Sequence, residues 1–128
     1  MRGEAMARIL IIDDNDQFRP MLRKMLEKAG YNDIEEAGNG SIGMKLFRQH
    51  PFDLVITDII MPDKEGIEMI TELRRDFPQI KIIAMSGGGR GGPHGYLEMA
   101  KYLGAGRTLA KPFKQSDLID AVQELLNE

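Results

Sequence analysis

Apolar residues follow two spacings that take turns along the chain. Arg8–Ile12, Leu54–Ile56 and Ile80–Met85 are short, nearly unbroken apolar runs rich in isoleucine, the mark of strands buried on both faces of a parallel sheet. Between them apolar residues return every three or four positions. Phe18, Met21, Leu22, Met25, Leu26 and Ala29 form such a stripe, with Arg19, Arg23, Lys24, Glu27 and Lys28 on the opposite face. Asn15 or Asp16 is placed to cap this first helix and Gly30 to end it. Ile34-Glu35-Glu36-Ala37 is too polar for a central strand and belongs at a sheet edge. Gly38-Asn39-Gly40 turns the chain into a second helix over Ser41–His50, with Ile42, Leu46 and Phe47 inward and Pro51 closing it.

The second half repeats the alternation. After Leu54–Ile56, Pro62 removes a backbone donor and keeps Met61 out of the helical region, so the chain leaves the sheet in a loop before Gly66 opens a third helix. Ile67, Ile70, Leu73 and Phe77 line that helix, and Pro78 stops it. A fourth helix is expected from about Gly95, carrying Tyr96, Leu97, Ala100 and Leu103 and stopping at Gly104. Thr108-Leu109-Ala110 reads as a short fifth strand. Ser116 or Asp117 then opens a last helix whose apolar side is Leu118, Ile119, Val122, Leu125 and Leu126. The result is (βα)5, an α/β fold with right-handed crossovers and helices on both faces of a parallel sheet. With the polar second strand at an edge, the flavodoxin-like order 2-1-3-4-5 is the natural one.

At 128 residues there is room for one domain, taken as residues 8–128 behind a tail of residues 1–7, with Met6 as an alternative start. A net charge of −3 without a basic run argues against direct nucleic-acid binding. The absence of cysteine removes disulfides, thiolate metal sites and cysteine nucleophiles. The opening residues lack the apolar core of a signal peptide and no run approaches a membrane span, so a soluble cytoplasmic protein is expected, without membrane contact.

The chemistry lies where the strands end. In the order 2-1-3-4-5, strands one and three are neighbours, and open α/β sheets bind ligands at the carboxyl ends of their strands. Asp13, Asp14 and Asp58 would meet there. Two carboxylates about 5 Å apart repel by roughly 3 kcal/mol at an effective dielectric of ~20, so the cluster needs a cation or a shared proton. Hard oxygen ligands with room for water favour Mg²⁺ or Mn²⁺. Taken singly, Asp58 reads as a turn residue, Asp13 and Asp14 as a helix cap, Ser86 as a turn and Lys111 as a solvated lysine. Those readings leave unexplained why four strands bring an Asp pair, an Asp, a hydroxyl and a Lys to one edge. Together the groups describe a phosphoryl site: a carboxylate acceptor, a divalent cation on the transferring oxygens, and Lys and Ser completing the clamp.

With Asp13-Asp14, Asp58-Ile59-Ile60-Met61-Pro62, Ser86 and Lys111-Pro112-Phe113 in this spacing, the chain resembles the receiver domains of bacterial two-component response regulators, from Arg8 to the last helix. The resemblance implies that Asp58 accepts phosphate from a sensor histidine kinase or a phosphotransfer protein. It implies that Asp13, Asp14, Asp58 and the backbone carbonyl of Ile60 hold Mg²⁺, that Lys111 pairs with the phosphorylated carboxylate, and that Ser86 moves to bond the phosphate. It also implies a regulatory phosphoacceptor rather than an enzyme, a commonly cis Lys111–Pro112 bond, a downstream protein partner, and dimerisation on phosphorylation as an added expectation.

Two features depart from the family. Receivers usually carry an aromatic three residues before the lysine, and here that residue is Thr108. The stretch from Gly87 to Gly95 is unusually rich in glycine; it lacks the Gly-Lys-Ser/Thr of a nucleotide loop, and its His94 has no second ligand nearby. It could order when phosphate engages Ser86, or be a plain surface loop. Tyr96, Tyr102 and the last helix would lie on the face receivers present to partners. Two other functions use the same residues. A Mg²⁺-dependent phosphohydrolase of the haloacid dehalogenase type would also use Asp58 as nucleophile, but needs an acid two residues later, where Ile60 stands. A degenerate receiver would serve as an unphosphorylated docking scaffold.

Overall fold

In the computed structural model, the described residues are 6–59, 65–87, 98, 100, 101 and 103–128. Five strands form one sheet: β1 (Arg8–Ile12), β2 (Asp33–Ala37), β3 (Leu54–Asp58), β4 (Lys81–Ser86) and β5 (Arg107–Ala110). All neighbouring pairs are parallel, in the order β2-β1-β3-β4-β5. Every residue of β3, at the centre, is buried, which is why its sequence shows no polar alternation. Helices α1 (Phe18–Lys28), α2 (Gly40–Gln49) and α3 (Glu65–Asp76) follow the first three strands, and a C-terminal helix spans Gln115–Leu126. Glu98, Ala100, Lys101 and Leu103 are helical as well, ahead of Gly104.

Alternate residues of each strand point to opposite faces, giving two cores. On one face Leu10, Ile12, Val55, Ile82 and Ala84 pack with Phe47 of α2 and with Met69, Ile70 and Leu73 of α3. On the other, Ile9, Ile11, Leu54, Ile56 and Ile83 pack with Leu22 and Leu26 of α1 and with Leu118 and Val122 of the C-terminal helix.

Local signals explain the element ends. The Asn15 side chain accepts from the amides of Gln17 and Phe18, both at 2.9 Å, and so caps α1 from just outside the helix. Asn39 does the same for α2, accepting from Ile42 N at 2.8 Å. Gly30 and Gly104 leave their helices at φ +99° and +121°, a conformation that glycine adopts without a side-chain clash.

The inward face of α2 differs from the sequence expectation. Phe47 is buried and Leu46 partly so, as expected, but Ile42 is 48% exposed and Gly43 faces the sheet instead. A Cβ on Gly43 would come within 2.4 Å of Ile12 Cδ1, so the glycine lets α2 lie close against β1. Hydrophobic periodicity gives a glycine no weight and so favours Ile42 as the inward residue.

The edge strand β2 is polar, as expected, and its carboxylates are paired. Asp33 and Glu35 face Arg8 at 3.3 Å each, and Glu36 faces Arg19 and Arg23 at 3.2 and 3.1 Å. Ile60, Met61, Pro62, the stretch from 88 to 97 with His94, Tyr96 and Leu97, and Tyr102 lie outside the described residues.

Candidate functional site

β1 and β3 are in register with Ile12 opposite Thr57, so the residues that follow, Asp13 and Asp58, stand side by side at the carboxyl edge. Asp13 is fully buried and Asp58 is 6% exposed, while Asp14 faces solvent. Ligand oxygens of Asp13, Asp14 and Asp58 all lie within 4.8 Å of one another. Buried carboxylates this close need a positive partner.

Lys111 supplies it. Its Nζ donates to Asp13 Oδ2 at 2.7 Å and to Asp58 Oδ2 at 2.9 Å, although it follows β5, with β4 between it and β3. The bond to Pro112 is cis, as the family resemblance implied. Burial works against the ammonium, but its hydrogen bonds with Asp13 and Asp58 and their charges outweigh that, and its pKa is raised above the ordinary lysine value. Lys111 is therefore a cation at neutral pH.

Ser86 ends β4 and is fully buried; its hydroxyl donates to the Gly87 carbonyl at 3.3 Å. Thr108 is half-buried on β5, opposite Ala84. Thus Asp13, Asp14, Asp58 and Lys111 are brought together and Ser86 closes the neighbouring strand. The carbonyl of Ile60 lies outside the described residues.

Asn15, Phe18 and Arg19 also contribute, though the sequence placed them in a cap, a core stripe and a solvated face. The amide of Asn15 donates to Asp13 Oδ1 at 2.8 Å, and Arg19 Nη1 donates to the Asp13 carbonyl at 2.7 Å. Lys111 Nζ sits 4.1 Å from the centre of the Phe18 ring. The one sequence signal for them was position, at the start of a helix that opens directly behind an acidic loop.

The oxygen donors suit a hard divalent cation. Each carboxylate offers about four acceptor positions. The bonds from Asn15 and Lys111 take one position on each oxygen of Asp13, and Asp14 is accessible from solvent. A groove of about 510 Å³ lined by Phe47, Phe52, Phe77 and Leu126 lies at the opposite, amino-terminal edge of the sheet and holds none of the expected site residues.

The model of the response regulator receiver domain matches residues 9–123. The chain is 33% identical over 120 residues to the chemotaxis protein CheY of Bacillus subtilis (strain 168), covering 94% of this chain and 98% of that protein. It is 36% identical over 118 residues to the transcriptional regulatory protein PdtaR of Mycobacterium tuberculosis, covering 91% of this chain and 55% of that protein. Among solved structures, a response regulator receiver domain protein from Clostridium thermocellum superposes with a TM-score of 0.86 at 29% identity, covering 95% of each chain.

Proposed function

The chain belongs to the response regulator receiver domain family, and from that premise we propose that it is a phosphoacceptor signalling module whose acceptor is Asp58. The observation that carries this reading is the Lys111 ammonium shared between Asp13 and Asp58. A positive charge is already in place beside the carboxylate that would become phosphorylated.

In the proposed transfer, a carboxylate oxygen of Asp58 attacks the phosphorus of a phosphohistidine on a sensor histidine kinase or phosphotransfer protein. The new O–P bond forms as the N–P bond breaks, and the electron pair stays on the departing imidazole. Lys111 moves its pairing from the bare carboxylate to a phosphoryl oxygen, and the Ser86 hydroxyl leaves the Gly87 carbonyl to donate to another. Mg²⁺, held by Asp13, Asp14, Asp58 and the carbonyl of Ile60, would neutralise the transferring oxygens. Ser86 repacks its loop, and the changed surface is read by a downstream protein partner or a second copy of the chain. Residues 8–128 form the receiver unit of this proposal and residues 1–7 a tail. The family's regulatory character supports a role in signal transduction rather than turnover of a substrate. A cytoplasmic setting is part of the same proposal; among the described residues no helix is long and apolar enough to cross a membrane.

Incubation with acetyl phosphate and Mg²⁺ followed by intact-mass measurement tests the assignment. One phosphoryl adduct is expected on the wild type and none on Asp58→Asn. An unlabelled wild type, or an equally labelled variant, overturns it.

A further inference from the structure

Phe18 has a closer relation to the site than a core residue needs. It is the first residue of α1, and its amide is held by the Asn15 side chain at 2.9 Å. The Asn15 amide in turn donates to Asp13 Oδ1 at 2.8 Å. The Phe18 ring lies 4.1 Å from Lys111 Nζ, and Lys111 returns to Asp13 through its 2.7 Å bond to Oδ2. Asp13, Asn15, Phe18 and Lys111 therefore form a closed circuit of contacts.

An ammonium has three hydrogens to place. In Lys111 two of them go to Asp13 and Asp58, and the aromatic ring stands against the same nitrogen. Ring faces attract cations, most strongly where water is largely excluded, and the Lys111 side chain is only 16% exposed. The ring is itself braced by Phe113, edge to face at 89° with centres 5.9 Å apart. Phe113 lies two residues beyond the lysine it helps to fix.

We infer that Phe18 is a positioning residue for phosphoryl transfer: its ring face holds the Lys111 ammonium between Asp13 and Asp58, so that an incoming phosphoryl group meets a cation already in place. This rests on the phosphoacceptor reading of Asp58. The contact is electrostatic in origin, so it depends on the sign of the charge on the ring face and not on ring volume alone.

The test replaces Phe18 by leucine, by tryptophan and by pentafluorophenylalanine, which keeps the ring's shape and reverses its face charge. Initial rates of labelling by acetyl phosphate with Mg²⁺ are compared with the proton shifts of the Lys111 ε-methylene, which a ring face moves upfield. Leucine and the fluorinated ring are expected to slow labelling about three- to tenfold, and tryptophan to keep the wild-type rate. The upfield shift is expected in wild type and tryptophan and lost in leucine. A fluorinated protein that labels at the wild-type rate, or a wild type without the shift, overturns the inference. If wild type shows the shift but takes no phosphate, the phosphoacceptor reading falls while the ring–ammonium contact stands, and Phe18 then has no part in phosphoryl transfer.

Discussion

The backbone amide of Lys111 donates to the carbonyl of Ser86 at 2.8 Å, continuing the β4–β5 ladder one step past its last paired residues. The proposed hydroxyl and ammonium groups are thus linked through main chain. In the proposed transfer, a main-chain shift at Ser86 would act directly on Lys111, without any side chain between them.

Removing the cation should expose how much the buried carboxylates depend on it. Lys111→Met leaves Asp13, at 0% exposure, and Asp58, at 6%, without their shared partner. A loss of about 2–4 kcal/mol of stability is expected in urea titrations with chelator present. Millimolar Mg²⁺ should restore more stability to the variant than it adds to wild type, because the cation then replaces the missing charge.

Asp14 separates metal binding from folding. It faces solvent but stands within 4.8 Å of Asp13 and Asp58, so with chelator present Asp14→Asn should relieve like-charge repulsion and raise urea stability by up to about 1 kcal/mol, not lower it. Its Mg²⁺ affinity, followed by calorimetric titration, should fall by at least about tenfold, a loss that even outer-sphere changes can cause.

Gly66 sits where α3 closes onto the end of β3. A Cβ there would lie 2.5 Å from the Asp58 carbonyl oxygen and from Ile59 Cα, which are main-chain atoms with little freedom to move. Gly66→Ala should therefore cost about 2–3 kcal/mol despite alanine's better helix propensity. It should also slow phosphoryl labelling, because the displaced backbone carries Asp58.

A pH-dependent contribution comes from the surface clasp between α2 and α3. Asp76 accepts from Arg75 Nε at 2.8 Å and from Arg48 Nη2 at 2.7 Å. Arg75 first, then Arg48, hold its carboxyl well below the usual value of 3.8. A carboxylate with a depressed folded pKa stabilises the protein above its unfolded value, and this is lost as pH falls through the folded one. The stability difference between wild type and Asp76→Asn should be constant near neutrality and shrink as pH drops below 3.8. Urea midpoints between pH 7 and 3 on both proteins measure it, and high salt should narrow the difference at every pH.

β1, β3 and β4 were legible as continuous apolar runs in a chain that alternates them with helical stripes, and the polarity of β2, which sets it at an edge, made the order legible. The meeting of Asp13 with Asp58 followed from that order alone. Lys111 was placed at the same edge by the end of its strand, but its reach across β4 to the acidic pair followed only from the family resemblance. Phe18 and Arg19 were not legible as site residues. One lies on an apolar stripe and the other on a charged face, and periodicity assigns those roles without regard to what stands at the helix start. Ile42 was misplaced for the converse reason, since the close contact under α2 is made by Gly43, which has no side chain to register.

The paired charges on β2 bear on how this sheet can associate. An outer strand invites another chain to continue the hydrogen-bond ladder, and here a newcomer would have to lie beside Asp33, Glu35 and Glu36, whose arginine partners come from β1 and α1. Bringing a further strand there would disturb those pairs and strip water from them. Growth of the sheet by strand addition on that side is thereby discouraged.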